Sequence, residues 1–296
     1  MTDQARNPDR FGARERRQGL LLISPTAIYV LLLMAGPLLA ISAYSVLSAP
    51  PGSAGAVLTL KNYGDVLTDP IYRAILLRTM MVSIAVTLVT VAVAYPVAYF
   101  VSFHVEPSRK SLWLFLITIP FWTSYLIRVF LWKVILGFNG VINSGLMGLG
   151  IIDEPLQAIN YNVGAVVVTL AHAYAPFAIL PIFVALEKID RSLLEASQDL
   201  GENKITTFLR VTLPLSVPGI VAAVLIVFIP TIGDYVTPEL LGGAGGKLVA
   251  NMIQTQFLQL NNAPLGAALA LVAMLMVAGV SLVFVFLNRK NLRGRS

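Results

Sequence analysis

Glu195-Ala196-Ser197-Gln198-Asp199-Leu200-Gly201, followed after nine residues by Val211-Thr212-Leu213-Pro214, is a polar interlude between two long apolar runs. Lys188, Arg191, Lys204 and Arg210 flank it. Ser192-Leu193-Leu194-Glu195 fits a capping box, which predicts a helix opened by Ser192 with Glu195 reaching back to its backbone. Leu193, Ala196, Ser197 and Leu200 then share one face at i, i+3, i+4 and i+7. Gly201 is placed to close the helix in the left-handed conformation. The small Ala196 and Ser197 let another surface come close. A polar helix kept between two membrane spans is a place where a partner docks.

The rest of the chain supplies the membrane. Of its 296 residues 57% are hydrophobic and only 12% charged, with a mean hydropathy of +0.79. Soluble domains carry about 25% charged residues, so the composition predicts one integral membrane domain. Six apolar segments reach the roughly 20 residues that a crossing needs, at about 20–46, 79–103, 112–136, 163–187, 211–232 and 265–288. Arg6, Arg10, Arg14, Arg16 and Arg17 precede the first, and Arg109 and Lys110 lie between the second and third. Lys188, Arg191, Lys204 and Arg210 lie between the fourth and fifth, and Arg289, Lys290, Arg293 and Arg295 follow the sixth. Alternate connections therefore hold most of the basic residues, which puts both termini in the cytoplasm and agrees with an even number of spans. The boundaries expected are a cytoplasmic tail over 1–19, a six-span domain over 20–288 with the polar helix inside 188–210, and a second tail over 289–296. The first apolar run exceeds the 7–15 residues of a signal-peptide core and reads as an uncleaved first span.

Composition also narrows the chemistry. There is no cysteine, which excludes disulfides and thiol ligands. The net charge of +6 follows the membrane and does not call for nucleic acid. The central portions of the spans carry no Asp, Glu, Lys or Arg, which disfavours an ion-coupled carrier because such carriers rely on intramembrane acids. Two distant histidines, His104 and His172, offer no constellation for a membrane enzyme. Gly242, Gly243 and Gly246-Lys247 hint at a phosphate loop, but Leu241 and Leu248 stand where that pattern needs Gly and Ser or Thr. Prolines fall within the spans at Pro96, Pro120, Pro176, Pro181, Pro214, Pro218 and Pro230, and predict bent helices around a pathway. Val141, Ile142, Leu146, Leu149 and Ile152 predict a short helix along the outer membrane surface.

Glu195-Ala196-Ser197, Gly201 and Val211-x-Leu213-Pro214 together resemble the cytoplasmic signature of ABC importer permeases. That signature reads Glu-Ala-Ala, three residues, Gly, nine residues, Ile-x-Leu-Pro; this chain departs from it at Ser197 and Val211. The resemblance implies an all-α, type I permease fold in a bacterial inner membrane, with no catalytic residues and no cofactor of its own. It further implies that Glu195, Ala196, Ser197, Asp199, Leu200 and Gly201 form a coupling helix seated on an ATPase dimer, which binds ATP and Mg²⁺. The stretches 120–128, 174–181 and 233–243 look like the spermidine/putrescine-type branch. That branch implies a homologous second permease and a periplasmic solute-binding protein as partners, with a polyamine as solute. Related branches carry other small amines, amino-acid derivatives or opines. For a polycation, Asp234 and Glu239, with Tyr235 between them, would form an acidic outer mouth. Trp122 and Tyr125 would offer rings to an ammonium group. Arg128 is expected to snorkel or bridge an outer acid, and His172 to be a packing histidine.

Overall fold

The computed structural model describes residues 8–53 and 55–292. Arg6, Arg293 and Arg295 lie outside the described residues, as do the side chains of Arg10, Arg14, Arg16, Arg17 and Lys290. The regular structure of the described residues is helical, apart from an isolated pairing of Leu47 with Leu58. In order, the helices are α1 (Pro8–Ser45), α2 (Lys61–Thr68), α3 (Pro70–Phe103), α4 (Pro107–Thr118), α5 (Tyr125–Ile135) and α6 (Val141–Gly148). Then come α7 (Val163–Glu187), α8 (Arg191–Asp199), α9 (Lys204–Thr207), α10 (Leu213–Gly233), α11 (Val236–Leu241), α12 (Val249–Gln254) and α13 (Ala263–Leu292). Among the described residues five helical stretches are long and apolar enough to cross a membrane, at Leu21–Ser45, Pro70–Phe103, Val163–Glu187, Lys204–Gly233 and Ala263–Arg289. A sixth exists when α4 and α5 are taken as one broken span.

That break corrects the reading of 112–136 as one continuous helix. Pro107–Trp122 and Tyr125–Ile135 meet at 86°. Thr123 and Ser124 both take extended backbone, and Pro120 in the tight turn before them has no N–H to continue the helical ladder. Both arms are apolar, so no fall in hydropathy marks the joint. The fifth span differs in the other direction. Its helix begins at Lys204 rather than 211, because Asn203 caps it by accepting from the Thr206 amide at 2.9 Å and a wide turn over Phe208–Thr212 joins α9 to α10. The second span starts at Pro70, where Asp69 accepts from the Ile71 amide at 2.7 Å and proline suits the first helical turn. Its 34 residues make a rod of about 51 Å, well beyond the roughly 30 Å hydrocarbon core. The short helix expected from Val141 is α6, which stops at Gly148, short of Leu149 and Ile152.

α3, α7 and α10 pack together as the centre of the bundle. Val86, Ala94, Ala98 and Val101 of α3, Leu170, Ile182 and Leu186 of α7, and Ala223 and Val227 of α10 are all buried there. Lipid gives helices no hydrophobic reason to associate, so close packing of small residues has to do it. Gly219 shows how close: a Cβ there would lie 2.5 Å from both the Pro181 carbonyl oxygen and Ala185 Cβ. Gly219→Leu is therefore expected to pry α10 from α7 and cost about 1–3 kcal/mol. Its thermal unfolding in detergent should shift down, with less protein in the membrane; an unshifted transition would contradict this packing. A second cluster joins α2, the start of α3, the end of α10, α12 and α13 around Val66, Leu76, Ile232, Val249 and Leu269. α1 packs mainly on α13.

Candidate functional sites at the two ends of the bundle

α7 and α10 run in opposite directions, so the connection holding α8 and the segment after Gly233 lie at opposite ends. At the first end α8 starts two residues earlier than the capping box predicts. Asp190, not Ser192, is the N-cap, and its carboxylate accepts from the Ser192 amide at 3.0 Å. An aspartate with extended backbone just ahead of the helix reaches that amide without competing for a helical position. The Ser192 amide, and after it the Ser192 hydroxyl, hold the Asp190 carboxyl below the usual carboxylate range. The other end matches expectation. Gly201 has φ +84, its amide donates to the Gln198 carbonyl at 2.9 Å, and the Glu202 amide donates to that of Ser197 at 3.2 Å. This pair of bonds is the Schellman closure that a residue free of Cβ permits.

The predicted face divides in two. Glu195, Ala196, Asp199, Leu200 and Gly201 are exposed, and Leu200 is 86% exposed. Ser197 turns inward, half-buried, with its hydroxyl 3.1 Å from that of Thr207. Leu193 stands half-exposed beside them, and Ile205 of α9 is also exposed. Glu202 pairs with Arg210 across the loop. The result is a short braced helix with leucine and small side chains on its exposed surface.

At the opposite end Asp234 is 8% exposed and fully engaged. One carboxylate oxygen accepts from the Val236 amide at 2.9 Å and the Thr237 amide at 3.3 Å. The other accepts from the Thr237 hydroxyl at 2.8 Å and from the Tyr125 hydroxyl. Asp234 thus caps α11 and ties it to α5, just past the break in the third span. Glu239 is half-exposed, 3.2 Å from Asn251 Nδ2 and 3.9 Å from Lys247 Nζ. The same Asn251 amide donates to the Tyr235 carbonyl at 2.8 Å, which links Tyr235 to Glu239. Trp122, on the far side of the break, is 76% exposed and packs on the edge of Phe115 instead. Among the described residues Arg128 makes no ion pair with an acid. Its guanidinium lies over the rings of Phe121 and Tyr125, at 5.3 and 5.9 Å. His172 accepts from Trp132 Nε1 at 3.1 Å, as a packing histidine would. Sequence reasoning missed Thr237 and Asn251, whose only signal was their nearness to Asp234 and Glu239 along the chain.

Five long apolar helices and one broken pair, with a capped and exposed helix between the fourth and fifth spans, have the architecture of a membrane permease. The chain belongs to the binding-protein-dependent transport system inner membrane component family, whose pattern matches residues 94–291. It is the inner-membrane permease subunit of an ABC importer, a transport subunit and not an enzyme. The spermidine/putrescine transport system permease protein PotB of Haemophilus influenzae is 38% identical over 80% of this chain and 82% of its own length. PotB of Escherichia coli is 37% identical over 77% and 82%. The Escherichia coli inner membrane ABC transporter permease protein YdcU is 33% identical over 75% and 73%. Among solved structures, a bacterial alginate ABC transporter in complex with an alginate pentasaccharide-bound periplasmic protein shares the fold. Its TM-score is 0.72 at 16% identity, covering 96% of this chain and 99% of the other.

Proposed function

We propose that this permease imports polyamines of the spermidine/putrescine class. The observation that carries the proposal is identity of 37–38% over more than three-quarters of the chain with permeases named for those solutes. In this reading a periplasmic binding protein delivers the solute and a homologous second permease completes the pathway. An ATPase dimer beneath them holds ATP and Mg²⁺; this chain binds no cofactor itself. Both termini and α8 face the cytoplasm, as the distribution of arginine and lysine supports. ATPase closure moves α8 through Glu195, Ala196, Ser197, Asp199, Leu200 and Gly201, and the spans swing between inward- and outward-facing states. Nucleotide shifts that equilibrium only because the ATPases grip the two states unequally.

Asp234 and Tyr125 serve as the outer gate, since their bond ties α5, just past the break in the third span, to the start of α11. Trp122, Tyr235 and Glu239 line the approach to it, where exposed rings and an acid suit a polyamine. The test is uptake by the whole transporter reconstituted with its binding protein. Labelled spermidine should enter vesicles only with ATP, and putrescine should compete. Entry of an opine or other carboxylated amine in preference to spermidine would contradict the solute class. Entry driven by an ion gradient without ATP would contradict the mechanism.

A further inference from the structure

A charged cluster at the root of α8 belongs to neither site described above. Glu187 is the last residue of α7, where aligned peptide dipoles disfavour an anion. Two donors hold it there on one oxygen: Lys110 Nζ at 2.6 Å, from the first turn of α4, and the Ser102 hydroxyl at 2.7 Å, from the last turn of α3. Arg191, the first residue of α8, completes the joint. Its Nη2 donates at 3.1 Å to the Ser102 carbonyl, which lies among the α3 carbonyls left without a helical donor. Its guanidinium lies 5.7 Å from the centre of the Phe103 ring. The Lys110 side chain is only 11% exposed and that of Glu187 35%, against 74% and 66% for the nearby Arg109–Glu106 pair. An exposed pair of that second kind contributes little. A shielded lysine matched to a carboxylate is a fixed connection, because either charge alone would be stranded.

Without this cluster, α8 is joined to α7 through Lys188, Ile189 and Asp190, and to α9 and α10 through the loop at 200–203 and the Ser197–Thr207 hydroxyl contact. The second span would then follow it through α10, by contacts such as that of Tyr95 with Ser216, and the third span through side-chain packing. With the cluster, Ser102 of α3 and Lys110 of α4 meet on the carboxylate that ends α7, and Arg191 of α8 holds the Ser102 carbonyl. We propose that Glu187 and Lys110 are positioning residues for transport: they lock α3, α4 and the root of α8 into one joint, so that displacement of α8 also drives the second and third spans. The proposal rests on the reading of α8 as the coupling helix.

The experiment uses the whole transporter in vesicles and reads ATP hydrolysed per solute imported, alongside the amount of ATPase that co-purifies. Glu187→Gln and Lys110→Met are expected to keep the ATPase bound and hydrolysing while uptake falls, raising the ratio about tenfold. Lys110→Arg keeps the charge and should stay within about twofold of the unaltered ratio. Should Lys110→Met fail to accumulate, Glu187→Gln carries the test, since it keeps the side chain's shape and an acceptor for Ser102 but removes the charge that holds Lys110. An unchanged ratio in Glu187→Gln with ATPase retained would overturn the proposal, and so would a Lys110→Arg ratio as high as that of Lys110→Met. Gly201→Asp in the same assay separates the two levels. If it too leaves the ratio unaltered, the coupling reading itself has failed; if it alone uncouples, only the joint has.

Discussion

Gly201→Asp is expected to cut uptake by the assembled transporter by roughly tenfold or more, while ATP hydrolysis continues and the permease still reaches the membrane. Two effects act together. At φ +84 any residue with a Cβ pays roughly 1–2 kcal/mol, which loosens the Schellman closure and reorients Leu200. The new carboxylate also sits beside Asp199 and Glu202 on the face meant for a partner. Among the described residues, apart from its chain neighbours, nothing lies within 4 Å of where the Cβ would stand, so the change meets no steric obstacle in the packing around it. Gly201→Ala carries the backbone cost alone and should lose only a few-fold. Glu195→Arg should behave like Gly201→Asp, because Glu195 is exposed and reversing its charge changes the docking face without disturbing packing. Wild-type uptake in both charge variants, measured with counted copies of protein per vesicle, would refute the docking role.

The second large effect is at Asp234. Asp234→Leu leaves two hydroxyls and two amides without their shared acceptor, and each buried orphan costs about 1–3 kcal/mol. The Tyr125 and Thr237 hydroxyls, 2.7 Å apart, can satisfy one another, so the loss should stop at several kcal/mol. The expected result is a lower thermal transition in detergent and near-complete loss of uptake. Tyr125→Phe removes one donor only and should cost about 1 kcal/mol. For a gate, this milder variant changes the maximal rate and leaves the half-saturating solute concentration alone. A shift in half-saturation at unaltered rate would instead make Tyr125 a solute contact.

Much of this architecture is readable in the sequence because one physical demand dominates it. A backbone in lipid must satisfy itself, so each crossing needs its own long apolar run, and 163–187 coincides with α7 end for end. The Gly201 closure is similarly local, since a glycine after an amphipathic turn has few other uses. Two kinds of feature stay hidden. The 86° break at Thr123-Ser124 has apolar residues on both sides, and hydropathy cannot see a turn that stays apolar. Asp190 and Ser192 are both good caps two residues apart, and only backbone geometry chooses between them. Partners distant in sequence are harder still. Tyr125 and Asp234 stand 109 residues apart, and Lys110 and Glu187 stand 77 apart. Lys110 looks like one more inside-facing positive charge, and Glu187 like a marker where a span ends. Their pairing depends on how three helices pack, which no local period records.

Leu200→Cys tests the central claim most directly. The chain has no cysteine of its own, and Leu200 is 86% exposed at the tip of α8. A membrane-impermeant thiol reagent should label it only when the cytoplasmic face is open, and a short bifunctional reagent should join it to the ATPase subunit in the assembled transporter. Labelling from the periplasmic side, or an assembled and active complex in which this cysteine never reaches the ATPase, would contradict the account.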